Sequence, residues 1–150
     1  MARRLALAAL VVSLLFLAFG GLYGGVEMLR DPSGGSLGMD VVLPQLPVPD
    51  FFLPGLFLLT VMGVVPLALV VGLLARPSCG WAAAVTRWGG HHWAWTGTLA
   101  LGIVLGVWLA VQGWMIGFAW PIQYVTAGNG VAILALTLLP VVRRSYASPA

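Results

Sequence analysis

The sequence predicts an all-α fold: an integral membrane four-helix bundle with both termini in the cytoplasm (N-in/C-in) and a structured extracytoplasmic loop between helices 1 and 2. Three observations carry this. Hydrophobic residues fill 61% of the 150 positions and charged residues only 7%, at a mean hydropathy of +1.03, far from the balance of a soluble domain. Four apolar runs long enough to cross a bilayer follow one another, at about 5–23, 51–75, 94–116 and 122–142. The basic residues, seven Arg and no Lys, stand in ones and twos at the ends of those runs, where they set topology. With the N-terminus inside, six of the seven lie in the cytoplasm and only Arg30 lies outside. The pI near 9.8 is therefore a topology signal and points to no nucleic acid. One domain accounts for the whole length.

Arg3 and Arg4 precede nineteen uncharged residues, a run about 28 Å long as a helix. A signal peptide has a shorter apolar core of about 7–15 residues, so a retained first span is expected. Residues 25–50 separate the first two runs and hold all four acidic residues, Glu27, Asp31, Asp40 and Asp50. The second run contains Pro66, which removes one backbone donor and predicts a kink. Its start is set either by Asp50 as a cap or by Pro54 in the first helical position. Residues 76–92 read as a short connection. The third run exits before Pro121, and the fourth is closed by Arg143 and Arg144. The lone Cys79 permits neither an internal disulfide nor a C-x-x-C redox pair, which excludes a thiol-oxidising quinone enzyme.

Lipid tails are as apolar as Leu, so close packing at small residues must hold the helices together. Thr98, Gly102, Gly106 and Ala110 form a four-residue repeat on the third run, and Gly102 and Gly106 are expected to face another helix. Gly20, Gly21, Gly24 and Gly25 allow close approach at the end of the first. The expected use is packing within the bundle, with a homo-oligomer interface as the alternative. Trp81, Trp88, Trp93 and Trp95 mark one membrane surface, and Trp114, Trp120, Tyr23 and Tyr124 the other.

Polar chemistry concentrates at the outer end. Asp31-Pro32-Ser33-Gly34 has the residue types of a type I turn, in which the Asp carboxylate accepts from the backbone two residues on. Glu27 and Arg30 are spaced to pair where the first helix frays. Four carboxylates in one loop lack the D-x-D-x-D spacing of a Ca²⁺ site, so no metal is expected. Asp50 completes the acidic candidates. Gln112, Gln123 and Asn129 are amides that lipid would penalise unless bonded, either to one another or to a polar vestibule roofed by the loop. His91 and His92 are adjacent and cannot easily ligate one metal from one helix face, and no other His completes a haem pair. No cofactor is expected. No charged residue stands at the midplane of any run, which argues against a proton-coupled carrier.

The loop and helix starts resemble a group of small uncharacterised bacterial four-span membrane proteins. The resemblance lies in Asp31-Pro32-Ser33-Gly34 with Leu37-Gly38-Met39, in Pro49-Asp50-Phe51-Phe52-Leu53-Pro54-Gly55, and in Trp108, Val111-Gln112 and Gln123. It covers about 20–130 and implies a four-helix membrane fold with no established activity. At Asp40 this chain departs from the small or polar residues usual in the group. The expected function is a non-enzymatic component of the plasma membrane that binds a protein or lipid partner through its outer loop. The alternative is an enzyme acting on a lipid at the outer leaflet through Glu27 or Asp50, with Gln112 and Gln123 nearby. A small-molecule carrier is the third class. An exposed loop distinguishes the binder, whereas carboxylates folded over a closed cavity distinguish the enzyme. Loop residues Val41, Val42, Leu43 and Leu46 predict a folded lid that meets Gln112 or Gln123, with Pro44, Pro47 and Pro49 favouring an extended return.

Overall fold

The protein is described by a computed structural model over residues 1–87 and 90–147; Trp88 lies outside the described residues. The chain is all-helical, with no strand among the described residues. Four helices are long and apolar enough to cross a membrane: α1 (Ala2–Arg30), α2 (Phe52–Ala75), α4 (Trp93–Ile116) and α5 (Pro121–Leu138). Two short helices, α3 (Gly80–Thr86) and α6 (Pro140–Arg143), lie at the end that carries six arginines. Helix α1 packs on α2, α2 on α4, α4 on α5, and α5 back on α1, so the spans close a ring in chain order. Their shared core holds Leu10, Leu14 and Leu17 of α1 against Met62, Leu69 and Leu73 of α2, Leu101 and Leu105 of α4, and Ile133 of α5.

The boundaries differ from the sequence expectation in three places. Helix α1 continues past the apolar run that ends at Tyr23, through its glycines, and is still helical at Glu27 and Arg30, where fraying was expected. It stops where Pro32 biases the preceding residue out of the α region, and Asp31 sits at φ −132°, ψ 84°. Helix α5 ends at Leu138 rather than 142, because Pro140 forces Leu139 into an extended conformation and starts α6. The 76–92 connection contains α3, whose sequence Gly80-Trp81-Ala82-Ala83-Ala84-Val85-Thr86 is rich in the best helix former.

Pro66 distorts α2 in a specific way. The helix is α over Phe52–Phe57, widens to a π-helix over Leu58–Val64, and is α again over Val65–Ala75. The proline has no N–H for the Met62 carbonyl, and its ring would clash with that carbonyl in a regular helix. The register shifts by one, and Val65 N–H donates to the Thr60 carbonyl. Thr60 Oγ1 in turn donates to the Leu56 carbonyl at 2.7 Å.

This widened segment is where α1 comes closest. A Cβ on Gly21 would lie 2.4 Å from the Met62 carbonyl carbon, and one on Gly25 would lie 2.6 Å from the Leu59 nitrogen. From the other side, Gly55 meets Met28 and Gly63 meets Leu22. Four glycines on two helices thus let the backbones touch, as small residues do between membrane helices. On α4, a Cβ on Gly102 would lie 2.6 Å from Leu134 of α5, so Gly102 faces a neighbouring helix. Gly106 does not: a Cβ there meets nothing within 4 Å. Gly106 borders instead an apolar groove of about 380 Å³ between α4 and α5, lined also by Ala110, Phe118 and Val131.

Candidate functional site

Residues 31–51 fold into a lid over one end of the bundle. Gly34 N–H donates to the Asp31 carbonyl at 3.0 Å, closing the turn expected from Asp31-Pro32-Ser33-Gly34. Gly34 (φ 81°) and Gly38 (φ 64°) take left-handed conformations that only glycine adopts without cost. A 3₁₀ turn follows at Gly35–Leu37 and a longer one at Asp40–Gln45. Pro44 therefore lies in a 3₁₀ helix rather than in the extended return expected of it, since its fixed φ fits either. The chain extends only from Leu46, at ψ 145°.

Phe51 locks the lid. Its N–H donates to the Pro32 carbonyl at 2.8 Å, joining the two ends of the loop. Its ring is 2% exposed and packs with Met28 of α1 and Val42 in a small core of its own, ringed by Leu37, Met39, Leu43, Leu46, Ile116 and Trp120. Gly34 lies flat against that ring; a Cβ there would come within 2.6 Å of it. The sequence pattern singled out the valines and leucines of the loop but not this aromatic anchor. The signal was present: a Phe beside Asp50 and opposite a turn glycine.

Two of the carboxylates, Asp31 and Asp50, help build the lid. Asp31 Oδ1 accepts from the Ser33 amide at 3.2 Å and from the Ser33 hydroxyl, and Oδ2 accepts from the Ser36 amide at 2.8 Å. These donors, the Ser33 hydroxyl first, hold its carboxyl below the ordinary value for aspartate. Phe51, not Asp50, holds the cap position of α2; Asp50 Oδ1 accepts from Phe52 N–H at 2.9 Å from one residue before it, and Pro54 takes the third helical position rather than the first, where its missing donor is still harmless. Glu27 pairs with Arg30 at 3.3 Å on the last turn of α1. They border a shallow groove of about 450 Å³ on α1, lined by Phe19, Leu22, Tyr23 and Val26.

The amides go elsewhere. Gln123 is buried in the α4–α5 turn: its Oε1 accepts from Trp120 N–H and its Nε2 donates to the Gly117 carbonyl, both at 3.0 Å. A Gln at the third position after a helix cap is a sequence signal for this role. Asn129 Nδ2 donates to the Ser13 carbonyl at 3.0 Å, tying α5 to α1. Gln112 is half-buried on α4 and makes no side-chain hydrogen bond among the described residues. No loop polar group hydrogen-bonds Gln112 or Gln123, so the expected roofed vestibule is not formed: the lid rests on Ile116 and Trp120 through apolar contacts instead. Of the seven candidates, only Glu27 and Arg30 meet. Among the described residues no group of three His, Cys, Asp or Glu side chains is placed to hold a metal ion.

The opposite end is stapled by side chains that reach exposed backbone carbonyls. Tyr146, 3% exposed, donates to the Leu73 carbonyl in the last turn of α2 at 2.7 Å. Trp95, expected at the membrane surface, is buried and donates to the Thr137 carbonyl at 2.9 Å. Trp93 donates to the Pro77 carbonyl, and Arg76 to the Ser145 carbonyl while lying 4.2 Å over the Tyr146 ring. Each fills a carbonyl that a helix end leaves without an amide partner or that lies in a turn. His92 caps α4 through Nδ1, accepting from Ala94 N–H at 3.3 Å, and its backbone N–H donates to the Tyr146 carbonyl. The role of Tyr146 has no signal in a short polar tail. Comparison of the chain with protein-family models, with curated proteins and with solved structures finds no match.

Proposed function

We propose that the chain is a non-enzymatic, multi-pass protein of the plasma membrane, N-in/C-in, that binds a protein partner through its extracytoplasmic lid. The observation that carries this is the state of the lid: a loop with a private core around Phe51, whose turns engage Asp31 and Asp50 and leave Asp40 and Val41 exposed at its surface. Val41 is 67% exposed beside a free carboxylate, the mixed apolar and charged surface of a small recognition patch. A rigid patch loses little entropy on binding. The outer-leaflet enzyme reading needs Glu27 or Asp50 to converge with Gln112 and Gln123. Glu27, Asp50 and Gln123 bond in three separate places and Gln112 makes no side-chain bond, so the geometry supports the binding reading better.

A photo-crosslinking side chain at Val41 tests it in intact cells. The expected result is one discrete protein adduct that weakens with Asp40→Asn and is missing from a matched control at lipid-facing Val104. Adducts of lipid mass alone, or equal adducts at both positions, would overturn the reading.

A further inference from the structure

The arginine-rich end carries a surface that the lid does not explain. Arg3, Arg4, Arg76, Arg87, Arg143 and Arg144 are all exposed there, and all four carboxylates of the side chains lie between residues 27 and 50. The only ion pair among the described residues joins Arg30 and Glu27 at the lid end. The fold gathers this end: α1, near whose start stand Arg3 and Arg4, packs on α6, which ends at Arg143, and Arg76 is bonded to the carbonyl of Ser145. Beside them α3 exposes Trp81 (76%) and Val85 (67%), one helical turn apart, an apolar edge that no described residue covers.

We propose that this end is a binding surface for anionic phospholipid headgroups, with α3 lying in the membrane interface and Trp81 and Val85 seated in the acyl boundary. Charge complementarity selects the occupant. A guanidinium fork matches a phosphate oxygen pair, and an unpaired basic cluster beside a hydrophobic span attracts an anionic leaflet. A Trp at headgroup depth with an apolar residue one turn on is the pattern of an interfacial helix.

Full-length protein in vesicles of phosphatidylcholine and phosphatidylglycerol provides the test. Quenching of Trp81, taken as the difference between wild type and Trp81→Phe, is compared for brominated phosphatidylglycerol and brominated phosphatidylcholine at equal mole fraction. Brominated phosphatidylglycerol is expected to quench more strongly, with a preference that falls about three- to fivefold in Arg143→Gln/Arg144→Gln and with added sodium chloride. Arg30→Gln at the other end should leave it unchanged, and thermal melting confirms that each variant is folded. Equal quenching by the two lipids, or a preference insensitive to the Arg143 and Arg144 changes, overturns the proposal. So does a preference abolished by inorganic phosphate but not by chloride of equal ionic strength, which would assign a soluble anion instead.

Discussion

A single carbonyl without its usual amide governs the crossing of α1 and α2. Pro66 has no N–H to give Met62, and Gly21 presents only a Cα to that carbonyl group. Gly21→Ala is expected to cost about 1–3 kcal/mol by overpacking a backbone that cannot retreat. Gly20→Ala, one residue away with nothing within 4 Å, should gain up to about 1 kcal/mol from helix propensity. Thermal melting in one detergent separates the two. The same contrast applies on α4, where Gly102→Leu should destabilise and Gly106→Leu should not. Asp31 gives a pH signature. Its carboxyl is depressed in the folded lid, so its stabilising effect is full above the ordinary aspartate value of about 4 and is lost as pH falls through the depressed value. The protection of the Ser36 amide relative to its intrinsic exchange rate should fall in that acidic window and, at neutral pH, in Asp31→Asn.

At the scale of elements, the lid and the stapled end test different bonds. Phe51→Ala should cost about 3–5 kcal/mol of lid stability by emptying its core, read as faster proteolysis of residues 31–51 with the spans intact. Tyr146→Phe removes one buried donor to the Leu73 carbonyl and should cost about 1–3 kcal/mol. Asn129→Ala should cost less, about 0.6 kcal/mol, as interhelical bonds in membranes average. The four spans were legible because lipid allows almost nothing but an uninterrupted apolar helix. The Asp31 turn was legible because its chemistry is local. The Tyr146 staple and the Asn129 bond were not, because each depends on which distant backbone a side chain reaches, whereas Phe51 and Gln123 carried local signals that were passed over. Pro140 and the alanines of α3 were readable signals that the hydropathy pattern masks.

At the scale of the molecule, orientation is the first quantity to measure. A membrane-impermeant thiol reagent on intact cells should label Ser36→Cys, which is exposed on the lid, and leave native Cys79 unlabelled. Labelling of Cys79 alone would reverse the orientation. The four spans also differ in length, with 29, 24, 24 and 18 residues in α1, α2, α4 and α5. At about 1.5 Å per residue, α1 reaches about 43 Å while α5 reaches about 27 Å, short of a typical hydrocarbon core of about 30 Å. The apolar lengths differ less, because charged Arg3, Arg4, Glu27 and Arg30 occupy the ends of α1, while Leu139, Val141 and Val142 continue the apolar sequence past α5. Where α5 alone sets the thickness on its side, a bilayer would have to thin locally beside it. Such hydrophobic mismatch costs least where acyl chains are short, so the melting temperature should peak in thin bilayers and fall as the chains lengthen. Membrane thickness would then sort the chain among compartments before any partner is encountered.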